Sequence, residues 1–171
     1  MRRLNIAAIV LPLLVVMAFG ASAMANGGSS SFGAKLRGYE ETPAINSSGT
    51  GQFSATLTSS GFTYTLSYSG LTSAALFAHI HFGQRGVAGG VAAFLCGGGG
   101  KPACPPAGGT VTGTITAADV VAIPTQNLAA GDMASLLKAI RAGVAYVNVH
   151  TTNFPSGEIR GQIRFHEEDE H

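Results

Sequence analysis

The chain has 171 residues, of which 24 are glycine and none tryptophan, with 10 Lys and Arg against 9 Asp and Glu. That length suggests one domain. A formal net charge of +1 and the lack of any basic run exclude the electrostatic footprint of a nucleic-acid binder.

The N-terminus reads as an export signal over residues 1–25. Arg2 and Arg3 form a positive start, residues 6–19 are apolar apart from Pro12, and Ala21-Ser22-Ala23 and Ala23-Met24-Ala25 offer small-residue cleavage sites. The apolar run is shorter than the roughly 20 residues that span a bilayer; the alternative is an uncleaved anchor. No cysteine lies near either cleavage site, so lipid attachment there is excluded. No later run reaches spanning length, so no membrane span is expected after cleavage. Without Arg2, Arg3 and the acidic residues of the tail, the body carries 8 basic against 5 acidic side chains.

Residues 26–33 read as a flexible leader, and the domain is expected over 34–165. Residues 34–39 are a candidate edge strand. Residues 52–58 and 62–68 alternate with period two, Phe62, Tyr64, Leu66 and Tyr68 sharing one face. Ser59-Ser60-Gly61 between them predicts a hairpin turn. Further strands are predicted over 76–82, 91–95 and 110–116, with one helical turn near 117–121. Residues 132–142 are the best helix: Asp132 can cap it, Met133, Leu136, Leu137 and Ile140 recur at helical spacing, and Gly143 stops it. Residues 145–150 and 158–165 close the domain as strands, and the charged tail, 166–171, is expected to be disordered. Short strands, glycine-rich turns and a lone helix indicate an antiparallel sandwich or barrel.

Cys96 and Cys104 flank a loop of glycine and proline. In an exported chain a disulfide is the default. Two thiolate metal ligands are the alternative, although the spacing is wide for a zinc knuckle and no other cysteine completes the set.

His79 and His81 are two apart in a strand-like run, so both imidazoles point the same way, while Ala78, Ile80 and Phe82 point the other way, toward a core. His150 shares the polar face of its own strand with Tyr146 and Asn148. If the two strands are neighbours, three imidazoles converge on one outward face. That ligand set suits copper or zinc and leaves a coordination position open. The bland alternative is a solvated histidine face. Glu158 and Arg160 share a strand face. They make either a surface ion pair or a supporting pair, Glu158 orienting an imidazole and Arg160 steering an anion. Nucleophilic catalysis is poorly supported: no Gly-x-Ser-x-Gly occurs, and no Ser or Cys stands out with a plausible base. Residues 97–100 lack the Gly-Lys-Ser/Thr ending of a phosphate loop. Asp119 and Asp132 fall where helix caps are expected.

Leu36-Arg37-Gly38-Tyr39-Glu40-Glu41-Thr42-Pro43, the run from Ala78 through His79, Ile80, His81 and Phe82 to Gly83, and the segments at 145–151 and 155–163 together resemble the CHRD domain, the module repeated in chordin. The resemblance runs from about residue 34 to 164. It implies an all-β, immunoglobulin-like Greek-key antiparallel sandwich with one short helix, in a secreted or periplasmic setting. His79, His81 and His150 fall in its motifs. A weaker similarity links the His-Ile-His strand to the copper-ligand strand of copper/zinc superoxide dismutases. The zinc loop of those enzymes is missing, which excludes a two-metal site. The leading expectation is therefore an exported, non-catalytic binding domain for a metal ion, a matrix component or another extracellular protein. The alternatives are a mononuclear copper redox protein and a structural or adhesive domain.

Overall fold

The structure, a computed structural model, describes residues 30–166. The export signal, residues 26–29 of the leader and residues 167–171 lie outside the described residues. Among the described residues, nine strands, one helix and three short 3-10 turns follow in chain order. The strands are β1 Ser31–Arg37, β2 Thr50–Thr58, β3 Gly61–Ser69, β4 Ala75–Phe82, β5 Gly90–Cys96, β6 Gly109–Thr116, β7 Ala145–Thr151, β8 Ile159–Gln162 and β9 Arg164–His166; α1 spans Met133–Arg141. The alternation in 52–58 and 62–68 produces the predicted β2–β3 hairpin, with Thr58 opposite Gly61. Asp132 caps α1, its Oδ1 accepting from the Ser135 N–H at 2.9 Å.

Every described pairing is antiparallel, and the strands form one sheet in the order β5-β4-β7-β8-β1-β2-β3-β6, with β9 also paired to β1. The sheet curls until its two ends meet. Across that seam the Tyr64 hydroxyl of β3 donates to the Leu95 carbonyl of β5 at 2.6 Å. The Val121 N–H, just beyond β6, donates to the Ala92 carbonyl at 2.8 Å. The Cys96–Cys104 disulfide pins the end of β5 to the segment leading into β6. The architecture is thus a nearly closed antiparallel barrel with one helix; two separately bonded sheets of immunoglobulin type are not seen among the described residues.

Inside the curl, Phe32, Phe53, Phe62, Leu36, Leu66, Ile80, Ile115 and Ile159 are buried, with Leu136 and Ile140 of α1 joining them. Phe32 meets Phe62 edge-on at 5.0 Å between ring centres. That packing corrects two expectations. β1 begins at Ser31, inside the expected leader, because Phe32 continues the inward set of Ala34 and Leu36. Nor is β1 an edge strand: β2 flanks it on one side, β8 and β9 on the other. The strand expected over 158–165 is split at Ile163, which is buried and donates its N–H to the Ala145 carbonyl at 2.9 Å. His166, expected in the tail, ends β9 opposite Ser31.

Candidate metal centre

β4, β7 and β8 lie side by side, and their register sets out a grid on the face away from the core. Phe77 stands opposite His150, His79 opposite Asn148, and His81 opposite Tyr146. Asn148 and Tyr146 in turn face Arg160 and Gln162 of β8. The inward residues of the same strands, Ile80, Val147 and Val149, belong to the core. The sequence therefore assigns the histidine face correctly, but that face is not open: His79, His81 and His150 are only 7%, 7% and 8% exposed.

Two loops roof it, and they also orient two of the rings. The Gly89 carbonyl lies 2.9 Å from His81 Nδ1. The Pro155 carbonyl lies 2.8 Å from His150 Nδ1. A carbonyl only accepts, so in each neutral ring the proton sits on Nδ1 and the lone pair on Nε2. His150 Nε2 faces His79 Nδ1 at 3.0 Å. One ring nitrogen from each of the three lies within 4.8 Å of the other two. Among the described residues, His79 Nε2, His81 Nε2 and Asn148 Oδ1 are buried with no hydrogen-bond partner.

Electrostatics keeps these rings neutral. Burial, reinforced by His150 and His81 alongside, pushes His79 from 6.5 down to about 3. Burial lowers His81 to about 4, against the opposing pull of the Gly89 carbonyl. His150 is lowered too, burial outweighing the Pro155 carbonyl. Near neutral pH the cluster is a set of uncharged nitrogen donors with no thiolate or carboxylate among them.

The partners expected for this site sit differently from one another. Arg160 is 2% exposed and lies over the Tyr146 ring, 3.4 Å from its centre. Tyr146 in turn stacks on His81, with ring centres 4.7 Å apart and planes 3° from parallel. The Arg160 guanidinium donates to the Gln84 and Val87 carbonyls at 3.0 Å and to Thr42 Oγ1 at 3.3 Å. It thereby fastens the 83–89 loop over the grid. Glu158, fully buried, is not paired with Arg160. Its carboxylate accepts from Ser47 Oγ at 2.6 Å, Thr72 N at 2.8 Å, Thr72 Oγ1 at 3.0 Å and Thr151 Oγ1 at 2.8 Å. Burial works to raise its pKa, yet those donors hold it below the usual carboxylate value. Through Thr151, Glu158 anchors the strand end next to His150. Cys96 and Cys104 are joined to each other, with Cα atoms 5.0 Å apart, so they are not thiolate ligands.

The sequence does not single out one further group at this site. Glu41 follows the 3-10 turn after β1 and is 9% exposed. The Asn148 side-chain amide lies 3.5 Å from its Oε1. Burial raises its carboxyl from 4.5 to about 7, against the opposing effects of the Thr42 N–H, Arg160 and Asn148. Gly157 makes room for it: its φ is +127°, and a Cβ there would strike Glu41 Oε1 and Asn148 Nδ2. Its only trace in the sequence is its place in the segment Leu36–Pro43.

No curated protein and no solved structure matches this chain. A family model described as the CHRD domain matches residues 32–163, most of the chain and all three histidines. The chain belongs to the CHRD domain family.

Proposed function

We propose that this is an exported CHRD domain that holds a single transition-metal ion on His79, His81 and His150. The observation that carries the reading is the pre-set ligand geometry: two carbonyls fix the proton on Nδ1 of His81 and His150, leaving their Nε2 lone pairs in a buried, uncharged cluster. The spacing is close for one pair of rings, while the full set, spread within 4.8 Å, draws in around an ion. Two nitrogens bound at about 2.0–2.1 Å to one ion lie roughly 2.9–3.4 Å apart for bond angles between a right angle and a tetrahedral one. His79 Nδ1 and His150 Nε2 stand at 3.0 Å, joined by an N–H···N hydrogen bond that His79 donates, so an ion would take the place of that proton. Carbonyl-oriented imidazoles of this kind are a recurrent support for bound metals.

An all-imidazole set favours copper or zinc over magnesium or calcium, and divalent copper binds such sites more tightly than zinc. Bound there, the ion supplies an electron-pair acceptor and, if copper, a one-electron couple. The chain's own part is to hold neutral nitrogens in place and limit access by water. Arg160 and Tyr146 brace His81 and the loop above it, and Glu158 acts on His150 through Thr151. This roofing supports a holding role over a redox enzyme, which needs an approach for its substrate. The Cys96–Cys104 bond agrees with an oxidising, extracytoplasmic location. Among the described residues no helix is long and apolar enough to cross a membrane.

Calorimetric titration of the purified protein with Cu(II) and Zn(II) tests the proposal. One ion is expected per chain, with Cu(II) the tighter. The His79→Ala/His81→Ala variant is expected to lose that binding while keeping its β-rich circular dichroism. Equal uptake by the folded variant rules the site out.

A further inference from the structure

Away from the imidazoles, the barrel carries a groove of about 610 Å³ along β9, β1 and β2. Its walls bring together cations that are far apart in the chain: Lys35 and Arg37 on β1, Arg85 on the 83–89 loop and Arg164 on β9. Among the described residues Glu40 is the one carboxylate that lines the groove, and Arg85 already pairs with it. Among the described residues Lys35, Arg37 and Arg164 have no salt-bridge partner. Half of the 8 basic side chains of the body therefore meet in this groove.

The register shows how the groove is built. Lys35 and Arg37 alternate outward from Leu36, so their charges repeat about every 6.5–7 Å along the strand. Arg164 lies opposite Gly33, and Gly33 lies opposite Ser54 on its other side. With no side chain at Gly33 a trough runs between the β9 cation and the hydroxyls and amide of β2. A Cβ there would come within 2.8 Å of the Phe53 carbonyl, so the floor admits only glycine. Gln52, Ser54 and Thr56 complete the far wall.

We infer that this groove binds a strand of anionic polysaccharide bearing carboxylate or sulfate groups. Spaced cations match charges that repeat along a polymer. The neighbouring hydroxyls and amide suit sugar hydroxyls. The exposed large apolar residues, Tyr39, Leu76, Phe77, Val87 and Val121, all lie outside the groove. Phe32 and Phe53, the phenyl rings that line it, are each 1% exposed, so among the described residues it offers no exposed phenyl, tyrosine or tryptophan ring as an anchor for a protein or a stacking platform for a single-stranded nucleic acid.

The test is binding of the full chain to immobilised polygalacturonate, dextran sulfate, neutral dextran and inorganic polyphosphate. Lys35→Glu/Arg164→Glu is compared with Lys138→Glu, a change on α1 away from the groove. The parent is expected to bind one or both anionic glycans, and whichever is preferred names the carboxylate or the sulfate as the recognised group. The groove variant is expected to lose about tenfold in affinity or more, while Lys138→Glu binds like the parent. Should the double variant melt at a lower temperature than the parent, Arg164→Gln gives the same comparison. Equal binding by the folded groove variants, equal binding of neutral dextran, or binding of polyphosphate as tight as either glycan overturns the proposal.

Discussion

At the scale of single residues, the site is governed by what burial does to ionisable groups. The three histidines have folded pKa values below the 6.5 of a free imidazole. Their contribution to stability is present above about pH 6.5 and is lost as pH falls through 4 toward 3. Glu41 runs the opposite way. Its folded value of about 7 lies above the ordinary 4.5, so its contribution is complete below 4.5 and is lost as pH rises through 7. Glu41→Gln, which keeps the shape and removes the charge, is therefore expected to match the parent at pH 4. It should exceed the parent at pH 8.5 by about 1 kcal/mol or more. Thermal melts of both proteins across that range decide it, and parallel curves would remove Glu41 from the account. Gly157→Ala is expected to destabilise the fold by about 2 kcal/mol or more, because the backbone is left-handed and the methyl meets Glu41 and Asn148. Chemical denaturation of that variant checks it. The histidines were legible because two-residue alternation reports face directly. Glu41 was not, because its burial depends on loops brought in from 83–89 and 152–158, and no local pattern encodes such a roof.

Individual elements were readable where one neighbour sufficed to define them. The β2–β3 hairpin and the capped helix α1 follow from short-range pattern, and both appear close to their predicted bounds. β1 was misplaced at its start and in its position within the sheet, since Phe32 gains its burial from Phe53 and Phe62, two later strands. The last strand was read as continuous because its residues are all compatible with a strand; the break at Ile163 arises where that residue turns its N–H to Ala145. The Cys96–Cys104 bond closes a short loop, with a sequence separation of 8, at the seam where β5 and β6 meet. Its removal in Cys96→Ser/Cys104→Ser is expected to lower stability by about 2–3 kcal/mol through the unfolded chain. Urea unfolding measures this, and an unchanged midpoint would show that the seam holds without the bond.

For the molecule as a whole, composition and period gave an all-β domain, but not the order of its strands. That order is what sets β4 beside β7, joins two distant histidine motifs, and gathers Lys35, Arg37, Arg85 and Arg164 from three regions of a nearly neutral chain. A ligand that binds only the folded barrel stabilises it by mass action. Cu(II) at a hundredfold excess over its dissociation constant is expected to add about 2.7 kcal/mol, near 10 °C in melting temperature for a domain of this size. His79→Ala/His81→Ala should show no such gain. The most direct measurement is a crystal structure of the copper-loaded protein with anomalous scattering recorded at the copper edge. The account predicts one strong peak among His79, His81 and His150, with the Gly89 and Pro155 carbonyls still on Nδ1 of His81 and His150. Copper found only at other surface donors, with the three rings unbridged, would contradict it.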